Sequence, residues 1–193
     1  MKHIILIILL VIAIGCKNSL PEIDSIKGED YKLLDQDSST VHYPEIFKGE
    51  ITVVGYIFTN CPDICPLTTN NMVLVDQRLK KEGINGIRFV AISFDPDYDT
   101  PSVLKEYMKV RNITERNWTF LTGEKSTIEK LMKRAEIFSI VSDSTTLKSG
   151  KNMYFYVHTD RISLFDRNLS LRKNYPGSTL IIEEIINDIK NIR

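Results

Sequence analysis

Cysteine, histidine and tryptophan are all scarce in this chain of 193 residues, which has three, three and one of them respectively. Three cysteines cannot form the dense disulfide framework that staples small secreted scaffolds. Nor are there four obvious Cys or His ligands left for a structural zinc site once the N-terminus is set aside. An excess of charge is missing too. The 25 basic and 25 acidic residues balance, and without the leader described below the balance is 24 against 25. That excludes a basic field able to hold DNA or RNA. Repeats and low-complexity tracts are absent. What is present is ordinary for one folded domain: 42% hydrophobic and 26% charged residues, in a chain long enough to bury a sizeable core.

The one long apolar run is Ile4 to Ile14. It is short for a permanent membrane span but has the size of a secretory core segment. Lys2 precedes it, Ala13 and Gly15 close it, and Cys16 follows. This arrangement resembles a bacterial lipoprotein leader, cut before Cys16 with lipid attached to that sulfur. The alternatives are an uncleaved anchor or a signal peptide cut elsewhere. The expected organisation is a lipoprotein signal peptide at 1–15, a lipidated tether at 16–29 and a folded domain at 30–193. Several acyl chains on one cysteine would hold the protein on a membrane, facing the extracytoplasmic (periplasmic) side.

Along the domain, a short strand pair is expected at Tyr31–Leu34 and Val41–Tyr43. Ile51 to Thr59 reads as a central strand covered on both faces, and Ile87 to Phe94 as a second. Helices are expected from Pro66 to about Glu82, from Pro101 with Thr100 as its cap, and from Glu124 to Ala135. Trp118–Leu121 reads as a strand and Asp143–Asn152 as a polar loop. Met153–Val157 leads to His158, and a hairpin follows at Arg161–Asp166 and Leu169–Asn174. A last helix at Ser178–Ile192 carries an isoleucine stripe. Parallel strands first and an antiparallel hairpin last give an α/β fold, a mixed sheet flanked by helices in the thioredoxin-like order.

In that order Cys61 and Cys65 stand where a central strand ends and a helix begins, a place that favours thiolate. With Cys16 taken by lipid, they are the only pair left for a disulfide. Their spacing permits either a disulfide or joint capture of a soft metal. A structural staple is a poor reason for the pair, because so small a ring removes little chain entropy. Dithiol oxidoreductases of the thioredoxin type usually have two intervening residues, and here Pro62-Asp63-Ile64 makes three. His158 lies just before the hairpin, where thioredoxins place a cis-proline, and no proline occurs between Gly150 and Asn174. Two thiolates and one imidazole suit Cu(I), and with added ligands Cu(II). Read alone, a histidine before a strand is more often structural; the topology shifts the reading toward His158 as a third ligand. His42 reads as a surface residue, and Lys125–Glu136 as a solvated helix face. Asp95, Asp97 and Asp99 read first as loop solvation and capping, with Asp95 and Asp99 as candidate supports behind a metal. A thiol peroxidase would need an arginine beside the cysteine, and none can be placed.

The string Gly55 to Pro66, then Ser93-Phe94-Asp95-Pro96, Asp99-Thr100-Pro101 and His158-Thr159, together resemble the Sco/SenC family over about residues 30 to 192. The resemblance implies a thioredoxin-like fold and copper bound by Cys61, Cys65 and His158. It also implies a role in supplying copper to the copper-site subunit of cytochrome c oxidase, as a carrier rather than a turnover enzyme. The alternative is an extracytoplasmic thiol-disulfide oxidoreductase that uses Cys61 and Cys65 as a redox-active disulfide, with Cys61 attacking and Cys65 resolving. One departure stands out: the family commonly has an acidic residue before the histidine, and here it is Val157.

Overall fold

The computed structural model describes residues 20–60, 64–114, 116–146 and 152–193, with backbone alone at 64–65, 141–146 and 152–156. In chain order the strands and helices are β1 (Asp24–Ser25), β2 (Tyr31–Asp35), β3 (Thr40–Tyr43), β4 (Ile51–Ile57), α1 (Ile64–Lys81), β5 (Ile87–Ser93), α2 (Pro101–Val110), β6 (Trp118–Thr122), α3 (Lys125–Arg134), β7 (Ser139–Thr146), β8 (Asn152–His158), β9 (Ile162–Phe165), β10 (Ser170–Tyr175) and α4 (Ile182–Ile192).

Eight strands form one sheet in the order β1-β10-β9-β4-β5-β6-β2-β3. β4, β5 and β6 are parallel, with Ile51 opposite Ile87 and Phe89 opposite Trp118. β9 joins β4 antiparallel and continues into β10. This is the expected thioredoxin-like α/β arrangement. Every residue of β4 is buried, which is why its sequence runs apolar instead of alternating. α1 packs on β4 unusually closely: a Cβ added at Gly55 would sit 2.5 Å from Met72 Sδ. A larger residue there would force the Met72 side chain to move. On the same face, toward β6, Phe89, Trp118 and Phe120 stack, and the Trp118 indole donates to the buried Asp76 carboxylate of α1 at 2.9 Å.

Three expectations change. Asp143–Asn152 is not one loop, because β7 continues through Thr146 and β8 starts at Asn152. The two strands pair as a ribbon outside the main sheet, Ile140 opposite Val157 and Thr146 opposite Asn152. β-branched residues at 140, 141, 145 and 146 favour extended backbone, which the polar composition of the stretch concealed. The last helix begins at Ile182 rather than Ser178, because the Ser178 N–H and hydroxyl are bonded to Asp160 at 2.9 and 2.6 Å. The helix face at 125–136 does more than meet solvent. Ile128, Leu131 and Met132 are buried, and Arg134 binds Asp24 at 2.6 Å and Glu29 at 2.8 Å.

Those last bonds fall on residues 20–29, expected as the end of the tether. Here Asp24–Ser25 pairs with Leu171 and Ser170 of β10, and Ile23 N–H donates to Leu171 O at 2.8 Å. The Arg134 guanidinium holds the carboxyls of both Asp24 and Glu29 below their ordinary values. Among the described residues no helix is long and apolar enough to cross a membrane. The proposed leader and Cys16 lie outside the described residues.

Candidate metal centre

The carboxyl ends of β4 and β5 lie side by side, joined past their last ladder bond by Phe94 N–H donating to Ile57 O at 3.0 Å. β4 runs out through Phe58, Thr59 and Asn60 toward the cysteine loop. Cys61 lies outside the described residues. Cys65 is the second residue of α1, and its side chain likewise lies outside them. What the structure describes is the frame around the pair.

That frame is anchored by Asp99, which is 0% exposed. It accepts the Thr59 N–H at 3.0 Å, the Thr59 hydroxyl through a very short bond, and the Ser93 hydroxyl at 2.5 Å. Burial raises the Asp99 carboxyl above the ordinary aspartate value, and the bonds from Ser93 and Thr59 pull the other way. One carboxylate thus ties the end of β5 to the last residues before Cys61. Loop solvation is therefore not what Asp99 does. It does describe Asp97, whose exposed carboxylate pairs with Lys125 at 2.5 Å. Asp95 acts through its backbone, its carbonyl receiving the Asp99 N–H at 2.8 Å.

His158, the last residue of β8, reaches the same corner. Its ring lies 5.0 Å from Phe94 and 6.1 Å from Phe58, centroid to centroid, and those two phenylalanines are 5.2 Å apart. Phe58 stands three positions before Cys61, so strand topology brings the histidine to the cysteine end of β4. Its Nδ1 lies 3.0 Å from the Thr159 carbonyl oxygen. A carbonyl only accepts, so this bond puts the proton on Nδ1 and the lone pair of the neutral ring on Nε2, the tautomer a metal needs.

The residues after His158 are fixed one by one. Thr159 N–H donates to Phe138 O at 2.8 Å, and its hydroxyl accepts the Phe138 N–H at 3.0 Å. The Asp160 carboxylate accepts from the Thr68 hydroxyl of α1 at 3.1 Å and from Ser178. Arg161 Nη1 donates to Ala135 O at 2.8 Å. Asp160 and the phenylalanine pair went unnoticed in the sequence. Phe58 and Phe94 were visible as the residues that end the two central strands, but nothing local marked Asp160.

Among the described residues no three His, Cys, Asp or Glu side chains gather as a metal group. The frame therefore rests on one described candidate ligand, His158, and two whose side chains lie outside. His42 is exposed and paired with Asp30 at 2.8 Å, away from this corner. Val157 is 67% exposed and faces solvent beside His158.

The family model for SCO1/SenC matches residues 21–193. The chain belongs to the SCO1/SenC family. Among solved structures it is similar to a SCO1/SenC family lipoprotein from Bacillus anthracis, at 31% identity and a TM-score of 0.68, covering 85% of this chain and 93% of that one. It is similar to Bradyrhizobium japonicum ScoI with copper bound, at 25% identity and a TM-score of 0.69, covering 85% and 98%. A third likeness is to BsSco, described as a member of the Sco family of cytochrome c oxidase assembly proteins with a disulfide switch. There the identity is 27% and the TM-score 0.70, covering 90% and 97%. The SCO1/SenC match starts at residue 21, close to where the chain first joins the sheet at Ile23.

Proposed function

We propose that this SCO1/SenC protein binds one copper ion through Cys61, Cys65 and His158 and serves the assembly of the copper site of cytochrome c oxidase. The observation that carries the reading is the position of His158. Its imidazole stands at the carboxyl end of β4, beside the residue three positions before Cys61, in the tautomer that puts the lone pair of the neutral ring on Nε2. A copper-bound relative and an oxidase-assembly relative of the same fold support it. Two thiolates and an imidazole are a soft set that favours Cu(I). The copper is cargo, so the protein's part is to hold the dithiol reduced, present the imidazole and release the ion to the oxidase subunit. Delivery in that direction is part of the proposal.

The leader and Cys16 complete it. Lipid on Cys16 would keep the domain on the extracytoplasmic side of a membrane, and the Bacillus anthracis relative is itself a lipoprotein. Metabolic labelling with a radioactive fatty acid should mark the wild-type chain and leave Cys16→Ala unmarked.

Anaerobic Cu(I) titration of the reduced protein against a colorimetric chelator should give one equivalent. His158→Ala should lower the affinity at least about a hundredfold, since losing a ligand costs more than losing a ligand's hydrogen-bond partner. Unchanged binding in that variant would remove His158 from the site. A thiol-disulfide role for the same cysteines is favoured by one observation, the placing of Cys65 in the first turn of α1, where thiolate is stabilised. Reduction of an oxidised copper-site peptide faster than by free thiol would establish it.

A further inference from the structure

Tyr56 follows Gly55, which faces α1, so its side chain faces the other side of the sheet. A cavity of about 250 Å³ opens there between the sheet, α3 and the stretch 23–26. Nothing in the copper reading uses it. Three phenols converge on it, from Tyr31, Tyr43 and Tyr56, together with the Arg161 guanidinium. Tyr43 is 4% exposed, and among the described residues its hydroxyl has no hydrogen-bond partner. Tyr43 is not one of the sealed polar groups without a partner, so its hydroxyl is satisfied by whatever fills the cavity, water or a ligand that accepts from it. Tyr31 by contrast donates to Glu29 at 3.0 Å.

Arg161 is half-buried and uses only Nη1 among the described residues, on the Ala135 carbonyl. The remaining N–H groups of its fork have no bond there. The other guanidinium on the wall, Arg134, is already satisfied by Asp24, Glu29 and the Ser25 carbonyl. Glu136 stands exposed, its charge screened by solvent. Tyr56 is bonded to Ser163, so the cavity offers one guanidinium edge and the Tyr43 O–H as donors, against walls that include Ile26 and Leu171.

We infer that this cavity binds a small organic carboxylate with an apolar body. The carboxylate takes the open edge of Arg161, the geometry a guanidinium fork matches best, and accepts from Tyr43. The body lies against the aliphatic wall. The volume is just under the usual range for drug-sized ligands, so a single ring or a short chain fits, on the order of ten heavy atoms.

Benzoate is the probe, with benzyl alcohol as its uncharged analogue, titrated into the full chain in detergent and followed by ligand-observed NMR. Copper is left out, so the outcome is independent of the metal reading. Benzoate should bind saturably below about 10 mM, and more tightly than benzyl alcohol. Arg161→Gln should weaken benzoate at least about tenfold and leave benzyl alcohol unchanged. Ile26→Trp, which fills the cavity, should abolish both. Tyr43→Phe removes one hydroxyl without touching the Ala135 bond; it should weaken benzoate several-fold even if Arg161→Gln proves unstable. No saturable binding, or binding that survives both Tyr43→Phe and Ile26→Trp unchanged, overturns the inference.

Discussion

The two arms of the candidate metal centre are held by the same device at different depths. On the cysteine side, Asp99 accepts from a threonine hydroxyl, a serine hydroxyl and a backbone N–H, from Thr59 and Ser93. On the histidine side, Asp160 accepts from Thr68, the Ser178 hydroxyl and the Ser178 N–H. Asp99 is wholly buried and Asp160 half-buried. A carboxylate sealed from water must have its donors in place or cost stability, whereas one at the rim can exchange a donor for water. The cysteine loop is therefore launched from a rigid point. The histidine is carried on a two-stranded ribbon outside the main sheet and is pinned where the chain returns from it.

The comparison breaks most visibly at Asp99. Asp99→Ala leaves two hydroxyls and an N–H without their acceptor, and should cost about 3 kcal/mol in chemical denaturation. It should also alter the alkylation rate of Cys61 and Cys65, because the residues before Cys61 lose their anchor. Asp99→Asn separates charge from shape. Burial raises the Asp99 carboxyl above 3.8, so on acidification the folded chain takes up this proton before the unfolded chain does. Wild type should therefore gain stability relative to Asp99→Asn as pH falls through the folded value toward 3.8, and lose it as pH rises. A wild-type to variant difference that is flat with pH would show that burial is not what tunes this group.

Asp160→Ala should be milder, about 2 kcal/mol: water can reach the half-buried Ser178, whereas Thr68 is buried and its hydroxyl loses this acceptor. Its effect should fall on the other arm. Cu(I) affinity should drop a few-fold through the histidine while cysteine alkylation stays at the wild-type rate. If both variants change both readouts alike, the arms are one unit and the contrast drawn here fails.

How much of this could be read from the sequence depends on the range of the interactions. The parallel strands, the helices after Pro66 and Thr100 and the C-terminal hairpin are written in local pattern, and they appear close to where they are expected. The residue order placed His158 near the cysteine end of the central strand because topology did that work. Asp99 was visible as one of three acidic residues, as part of the Asp99-Thr100-Pro101 string and as a candidate support behind a metal, but not as the anchor of Thr59 and Ser93. Its burial depends on Thr59, forty positions away, and no local pattern reports that. Asp160 is harder still, since its partners lie on α1 and before α4. The β7–β8 ribbon was hidden by serine, threonine and aspartate, which read as a loop unless the facing strand is known.

The smallest expected effect tests the ribbon itself. Val157 is 67% exposed, directly opposite Ile140 at 69%, so neither contributes to a core and substitution should change stability by less than about 0.5 kcal/mol. A carboxylate there would stand one residue from the imidazole and stabilise positive charge on it or on a bound ion. Val157→Glu should therefore strengthen Cu(II) retention by less than about tenfold, and the gain should shrink as salt rises because the charge is exposed. Val157→Ala should leave retention unchanged, which separates charge from loss of the apolar side chain. Equal gains in both variants would mean that the ribbon's packing, not its charge, sets how the histidine side holds copper.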